Sequence, residues 1–385
     1  MSLLHLTYDL RDRLNRETTS AVNCLIKESD KIIETFTIDL MRVTKFREEV
    51  VKLLDSNHLI INSFGFPYGF MLIKHLNRAF KQVKNAEEKD LIDLRTFDII
   101  HSHKLTFEGY IGSLIAKEMN IPLMVTLRQT DLRVMKYRPD LRELYRSILL
   151  QAKKIIYLLP VMLEFFEDYL GKDFFSDEVK SKLVYLPNIV ERPIQEVKII
   201  PQKKMFLTIL RMTKESVIRK NVKNLLIAFK QLKDKTVKLK IIGEGEYLEK
   251  VRSWVKKYGL TERVEFTGYV PNDQIDTFYS EVTAFLLPSF SESFGMVYAE
   301  SLLNGTPIMW SKGVLGFDRM FDNVGVGVNP HSAESISNGM NLLIEKNDDF
   351  RKSIKSLKSE GRFDIFGANF VRENYEKAIS EIISI

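Results

Sequence analysis

Apolar and polar positions follow two rhythms along this chain, and the switches between them mark its elements. Short apolar runs bounded by turn residues predict strands at Leu3–Thr7, Ile32–Val43, Leu59–Phe64, Asp98–His101, Pro122–Leu127, Lys154–Leu159 and Leu183–Leu186. Between them, apolar residues three and four apart predict helices at about Thr19–Glu28, Phe70–Lys84, Phe107–Met119, Asp140–Leu150 and Val161–Leu170. The segment Leu186–Lys204 carries three prolines and little periodicity, and reads as a connector. The alternation then starts again. Strands are predicted at Phe206–Leu210, Lys238–Ile242, Val264–Tyr269 and Ala284–Leu287, with helices at VKNLLIAFKQL, at about Phe294–Leu303 and at about Asn369–Ile383. Strands alternating with helices imply parallel sheets covered on both faces. The fold class is therefore α/β, with one such unit on each side of the connector.

The most informative stretch is Ala284–Met309, AFLLPSFSESFGMVYAESLLNGTPIM. A buried strand ends at Pro288. Ser289, Ser291 and Ser293 offer cap chemistry for a helix that starts near Phe294 and stops at Asn304-Gly305. The first amides of a helix have no partner within it, and Gly295, expected in the first turn, lets an anion approach the backbone. A phosphate suits such a place. Glu292 lies just before the helix and Glu300 about two turns into it; carboxylates accept hydrogen bonds from hydroxyls. Phosphates flanked by hydroxyl-rich groups describe a nucleotide sugar. A capped helix with surface glutamates is the plainer alternative for either carboxylate alone.

The combination of strand, serines, Glu292, Phe294-Gly295, Glu300 and Gly305-Thr306-Pro307 resembles the E-x7-E motif of retaining glycosyltransferases of family 4, which have the GT-B fold of two facing Rossmann-like domains. The resemblance implies a nucleotide-sugar domain at residues 205–365, an acceptor domain at 1–190, a linker at 191–204, and a last helix at 366–385 crossing back to the first domain. It implies that Arg211 and Lys220 grip the donor diphosphate with the amides of Ser293, Phe294, Gly295, Met296 and Val297. Glu292 would hold sugar hydroxyls and Glu300 the ribose. The gap between Arg211 and Lys220 is longer than in the family, so a bulging loop is expected at Met212–Arg219, where Lys214 or Arg219 could stand in. Gly243-Glu244-Gly245 lacks the third glycine of a dinucleotide fingerprint, so a nicotinamide enzyme is a weak alternative. It is expected to make the turn beside the base, which Gly268, Tyr269 and Val270 would flank. Gly325–Pro330 is expected to be a turn.

In the first half, DIIHSHKLTFEGYIGSLIAKEMNIPLMVTLRQTDL resembles the same family. His101 and His103 lie at the carboxyl edge of the predicted sheet, where open α/β folds bind ligands. As a zinc pair they lack a third ligand in view, so polar lining is the expected role and no metal is assigned. Arg128 stands where many relatives have a histidine. It cannot act as a base, but it can hold a phosphate or carboxylate, which suits an acidic acceptor. Asp131 either serves the acceptor hydroxyl or caps the next helix. The family's early glycine-rich loop is replaced by DRLNRETT, where Asn15 and Thr18 could act through side chains.

Bulk properties add limits. A chain of 385 residues suggests two or three domains. Its single cysteine, Cys24, allows no internal disulfide and fits a reducing cytosol. No secretory leader is expected, since the start lacks a basic segment followed by an apolar one. No apolar run reaches membrane-span length. The net charge of +6 leaves anionic partners open, but no nucleic-acid motif is present. The helix at 69–84 gathers Lys74, Arg78, Lys81 and Lys84 or Asn85 on one side. That side is either a solvated basic face or a peripheral contact with an anionic membrane.

The expectation is thus a retaining glycosyltransferase, cytoplasmic or at the inner membrane face, acting on a saccharide or lipid-linked acceptor. The nucleoside diphosphate sugar is its substrate, and no cofactor is called for. No Asp-x-Asp triplet occurs in the chain, in line with metal independence. The alternatives are a non-catalytic accessory subunit of the same fold and a nucleotide-sugar epimerase.

Overall fold

The computed structural model describes residues 1–8, 20–43, 50–65, 71–190, 203–314 and 317–384. They form two compact units, residues 1–189 with 366–385, and residues 190–365. Asn15, Thr18, the loop before residue 71, most of the connector and Leu315-Gly316 lie outside the described residues.

The first unit runs β1 (Ser2–Tyr8), α1 (Ser20–Ser29), β2 (Glu34–Val43), β3 (Val50–Asp55), β4 (His58–Phe64), α2 (Leu72–Glu88), β5 (Ile99–Ser102), α3 (Glu108–Met119), β6 (Leu123–Leu127), α4 (Gln129–Tyr137), α5 (Arg142–Gln151), β7 (Lys154–Tyr157), α6 (Pro160–Leu170), α7 (Asp177–Ser181) and β8 (Leu183–Tyr185). The second runs β9 (Lys203–Ile209), α8 (Lys214–Arg219), α9 (Val222–Gln231), β10 (Lys238–Ile242), α10 (Leu248–Lys257), β11 (Val264–Gly268), α11 (Ile275–Ser280), β12 (Val282–Leu286), α12 (Met296–Leu303), β13 (Ile308–Ser311), α13 (Phe317–Met320), β14 (Gly325–Val328), α14 (Ala333–Glu345) and α15 (Asn347–Ser359). The chain then returns to the first unit as α16 (Ala368–Ile383).

The first sheet has eight strands in the order β3-β4-β2-β1-β5-β6-β7-β8, parallel except for the β3–β4 hairpin. The second has six parallel strands in the order β11-β10-β9-β12-β13-β14. Each sheet therefore reverses its direction of growth once, between β1 and β5 in the first and between β9 and β12 in the second. At such a reversal the loops leaving the two strands diverge, and their carboxyl ends border a ligand crevice.

Burial explains the pattern. The central strands β6 and β12 are buried at every position, as a strand covered on both faces must be. Helix α16 buries Val371, Tyr375, Ala378, Ile379 and Ile382 at helical spacing. These pack with Leu3, Ile99, Met124, Ile156 and Leu186, so the last helix completes the core of the first unit.

Several expectations need correction. Strand β3 was not foreseen; it is a largely exposed edge, so no apolar alternation announces it. Helix α4 was not foreseen either. Residues 214–219 are a short helix, not a bulging loop, capped by Thr213 Oγ1 accepting from Ser216 N at 3.2 Å. Residues 325–328 are a strand rather than a turn. On α2, Lys74 and Lys81 are exposed, whereas Lys84 is half-buried in ion pairs with Glu87 and Glu118. No helix among the described residues is long and apolar enough to cross a membrane.

Candidate functional site

In the second unit the loop after β9 is fixed by backbone bonds. Leu210 N donates to Ile242 O at 3.0 Å, Met212 N to Glu244 O at 2.8 Å and Tyr247 N to Met212 O at 2.7 Å. Such close approach requires glycine: a Cβ on Gly243 would land on the Leu210 carbonyl oxygen, and one on Gly245 would meet Met212 backbone at 2.7 Å. The Gly-x-Gly turn thus holds the strand exit that presents Arg211, which is exposed. Gly243 N also donates to Gly268 O at 2.8 Å, bringing the ends of β10 and β11 together, with Tyr269 largely exposed beside them.

Asn221 anchors the corner between α8 and α9. It sits in the left-handed region at φ 60°, and its Nδ2 donates to Pro288 O at 3.0 Å and Pro330 O at 2.7 Å. Phe290 N donates to Arg219 O at 2.9 Å. The corner is thereby tied to the loop after β12, and Lys220 forms a hydrogen-bonded ion pair with Glu292 across it. Both side chains are nearly buried. Burial pulls the Lys220 ammonium below its ordinary range, while Glu292 opposes that shift.

Helix α12 begins two residues later than expected. Gly295 is its N-cap, left-handed at φ 76°, and has no side chain to cap with, so none of Ser289, Ser291 and Ser293 is the N-cap residue. The physical reason is the glycine itself, whose left-handed backbone turns the chain into the helix without a side-chain acceptor. The first bond inside the helix runs from Tyr298 N to Gly295 O at 2.8 Å. The amides of Met296 and Val297 precede it. Phe294 is buried beneath, and Ser293 is exposed. Glu300 lies little more than one turn into α12, not two, and accepts from the Tyr279 hydroxyl at 2.9 Å. Tyr279 was missed because α11, which carries it, is too short for a periodic signal.

The structure thus brings Lys220, Glu292 and the start of α12 together beyond β12. Arg211 presents from the neighbouring exit of β9. This arrangement offers two cations and an amide-rich helix end to an anion.

In the first unit, His103, Arg128 and Asp131 gather at the carboxyl ends of β5 and β6. Arg128 Nε donates to His103 O at 2.8 Å. Asp131 is fully buried and serves as a structural clasp. Its Oδ1 accepts from Thr106 N at 2.8 Å and Thr106 Oγ1 at 2.7 Å, and its Oδ2 from Arg128 N at 2.8 Å. Of the two roles left open for Asp131, the geometry is that of the cap.

The histidine pair has a third member that the sequence reading lacked. Parallel pairing sets His5 on β1 opposite His101 on β5, and His5, His101 and His103 are buried with ring nitrogens within 4.8 Å of one another. The rings already have partners. Ser29 Oγ donates to Ile26 O at 2.7 Å, so it accepts from His5 Nε2 at 2.9 Å; His5 Nδ1 then accepts from His103 Nε2 at 2.9 Å. His101 bonds Tyr375 Oη and Thr126 Oγ1, each at 2.7 Å. Burial pushes all three below the usual histidine range, His5 to about 3, so they are neutral imidazoles. A metal ion would have to displace Ser29, Tyr375 and Thr126 from ring nitrogens of His5 and His101. The rings of His101 and His103 lie 4.1 Å apart, tilted by 33°, rather than converging in plane. The cluster is a hydrogen-bonded core that ties α1 and α16 to the sheet.

Residues 191–361 match the family described as Glycosyl transferases group 1. An uncharacterized glycosyltransferase of Methanocaldococcus jannaschii is 27% identical over 304 residues, covering 78% of this chain and 75% of that protein. The alpha-monoglucosyldiacylglycerol synthase of Streptococcus pneumoniae is 26% identical over 229 residues, 55% of this chain and 51% of its own length. The structure of Anabaena HepE in complex with UDP-glucose superposes with a TM-score of 0.67 at 16% identity, covering the whole of both chains.

Proposed function

We propose that this chain, a glycosyltransferase of GT-B fold, belongs to the retaining, metal-independent family 4 type with its E-x7-E motif at Glu292 and Glu300. It transfers a sugar from a nucleoside diphosphate sugar to a saccharide or lipid-linked acceptor, in the synthesis of cell-surface polysaccharide. The observation that carries the reading is the Gly295-capped start of α12 beside the Lys220–Glu292 pair, at the carboxyl end of β12.

As the glycosidic C–O bond breaks, its electron pair passes to the diphosphate oxygen. Arg211, Lys220 and the amides from Ser293 to Val297 stabilise that charge, which is the work a divalent metal does elsewhere. Lys220 turns from Glu292 to the phosphate, and Glu292 is released to hold sugar hydroxyls. Tyr279 orients Glu300 toward the ribose. The acceptor oxygen bonds to the anomeric carbon on the face the phosphate leaves, and its proton goes to a departing phosphate oxygen. No separate base is required.

The name of the pneumococcal relative supports a lipid-linked acceptor, and the exposed Lys74 and Lys81 of α2 fit a contact with anionic lipid. The UDP-glucose complex of HepE supports a uridine donor. The test is incubation with UDP-, GDP- and ADP-sugars with and without chelator, following diphosphate release and the anomeric configuration of the product. Release of diphosphate unaffected by chelator, with retained configuration, is expected. An accessory subunit would release none. An epimerase would convert the donor sugar without an acceptor.

A further inference from the structure

The reversal between β1 and β5 marks a second place where open α/β sheets take ligands, the carboxyl edge of the first sheet, and its described border is charged. Tyr8 ends β1, Lys104 follows β5 and Arg128 follows β6. Lys104 Nζ donates to Tyr8 O at 2.8 Å, lies 5.4 Å from the centre of the Tyr8 ring, and stands 3.3 Å from Glu108 Oε1. Glu108 has no exposed surface, and neither of its carboxylate oxygens has a hydrogen-bond partner among the described residues.

Two carboxylates are therefore buried at this edge in opposite conditions. Asp131 has both oxygens filled by Thr106 and Arg128 donors and is part of the framework. Glu108 is held chiefly by attraction to Lys104, with no well-formed hydrogen bond among the described residues. A buried carboxylate without donors is costly, and native proteins rarely keep one without a use. Glu108 sits as an anion beside Lys104 and within the electrostatic reach of Arg128, without the hydrogen bonds an anion needs.

We propose, building on the glycosyltransferase reading, that this edge binds an anionic group of the acceptor, a phosphate or carboxylate, with Arg128 and Lys104 as its cations and Glu108 as the counterion it displaces. Arg128 presents a planar fork suited to such groups, steadied by its Nε bond to His103 O. The groups facing Glu108 are Lys104, Arg128 and Asp131, with His103 neutral behind them. Burial, with a smaller push from Asp131 and against the pull of Lys104, moves Glu108 up to about 7. An arriving anion raises it further, so Glu108 takes up a proton as the ligand binds. The edge then carries Lys104 and Arg128 against Asp131 alone, and the ligand supplies the missing negative charge. A neutral sugar supplies none.

The experiment is calorimetric titration of the full chain with glucose 6-phosphate and with glucose, in two buffers of different ionisation enthalpy at pH 7.5. Flotation with phosphatidic acid or phosphatidylcholine vesicles separates a lipid phosphate from a free one. We expect at least a tenfold preference for the phosphorylated sugar, or for the phosphatidic acid vesicle, with proton uptake. Arg128→Ala weakens binding at least tenfold, and Arg128→Lys restores part of it. Glu108→Gln binds several-fold tighter and takes up no proton. Binding of UDP, GDP or ADP reports separately on the second unit: its persistence in each variant shows an intact fold, and its failure in the unaltered chain counts against the donor site alone. Equal binding of the two sugars with no preference between the vesicles, no binding in any arm, or proton uptake unchanged in Glu108→Gln overturns the proposal.

Discussion

The two sheets of this molecule share one plan and fill it in opposite ways. Each reverses direction at its centre, β1 against β5 and β9 against β12, and each gathers polar groups at the carboxyl edge there. In the second unit main chain sets the site: the amides at Gly295, the glycine turn under Arg211, and the pinned corner that carries Lys220 toward Glu292. In the first unit the polar groups are side chains sealed from water: three neutral histidines, a clasped Asp131 and a bare Glu108. A main-chain cradle binds charge whatever its exact ligand, because amides and helix ends are indifferent to what the phosphate carries. A side-chain edge selects among ligands, and it titrates.

That difference can be broken from either side. The largest effect is expected at Lys220. Lys220→Ala should lower kcat/KM by about 100- to 1,000-fold, the usual range for removing one transition-state charge partner. Steady-state kinetics with the accepted donor checks this, and an unchanged rate would mean that the diphosphate does not sit there. Next comes Gly243→Ala. Its methyl group has no room against Leu210 O, so the unfolding free energy should fall by about 3 kcal/mol or more. Urea denaturation followed by circular dichroism reads this out, and an unchanged midpoint would show that the turn is not under that constraint.

The side-chain edge should show itself through pH. His5, His101 and His103 titrate lower in the folded protein than the ordinary 6.5, so below that value the unfolded chain binds more protons and the fold loses stability as pH falls. Each group contributes up to about 1.4 kcal/mol per pH unit between 6.5 and its folded value, about 3 for His5. Glu108 acts in the opposite sense. Its folded value of about 7 lies above the ordinary 4.5, so its contribution is present below 4.5 and is lost as pH rises toward 7. Three groups outweigh one, and stability should climb from pH 5 to 6.5. Glu108→Gln should steepen that climb. Denaturation midpoints at half-unit intervals decide it, and a flat profile would show that the histidines are not buried neutral. The smallest effect is Tyr375→Phe, which removes one hydrogen bond to His101 at a cost of about 1 kcal/mol. Losing much more would mean that the bond holds α16 in place on its own.

What the sequence made legible follows the same division. Buried parallel strands are apolar runs, so β1, β5, β6, β10 and β12 could be read within a residue or two. The strand end and turn from Pro288 to Gly295 could be read because they lie in one stretch, but the glycine N-cap could not, because the serines beside it offered an ordinary one. The β3–β4 hairpin was hidden because an exposed edge strand has no core-facing rhythm. Helix α8 carried its own cap in Thr213 but is only six residues long. The histidine trio was out of reach: His5 meets His103 across 98 residues of chain, and only the register of two parallel strands brings them together. Glu108 was not singled out, since nothing local tells that the fold buries it.

The central claim is that the start of α12, with Lys220 and Arg211, cradles a pyrophosphate. The most direct measurement is a crystal structure of the protein soaked with a nucleotide sugar. The account predicts phosphate oxygens within hydrogen-bond distance of the amides at Gly295–Val297, and Lys220 turned from Glu292 onto the phosphate. A ligand seated elsewhere, with the Lys220–Glu292 pair intact, would contradict it.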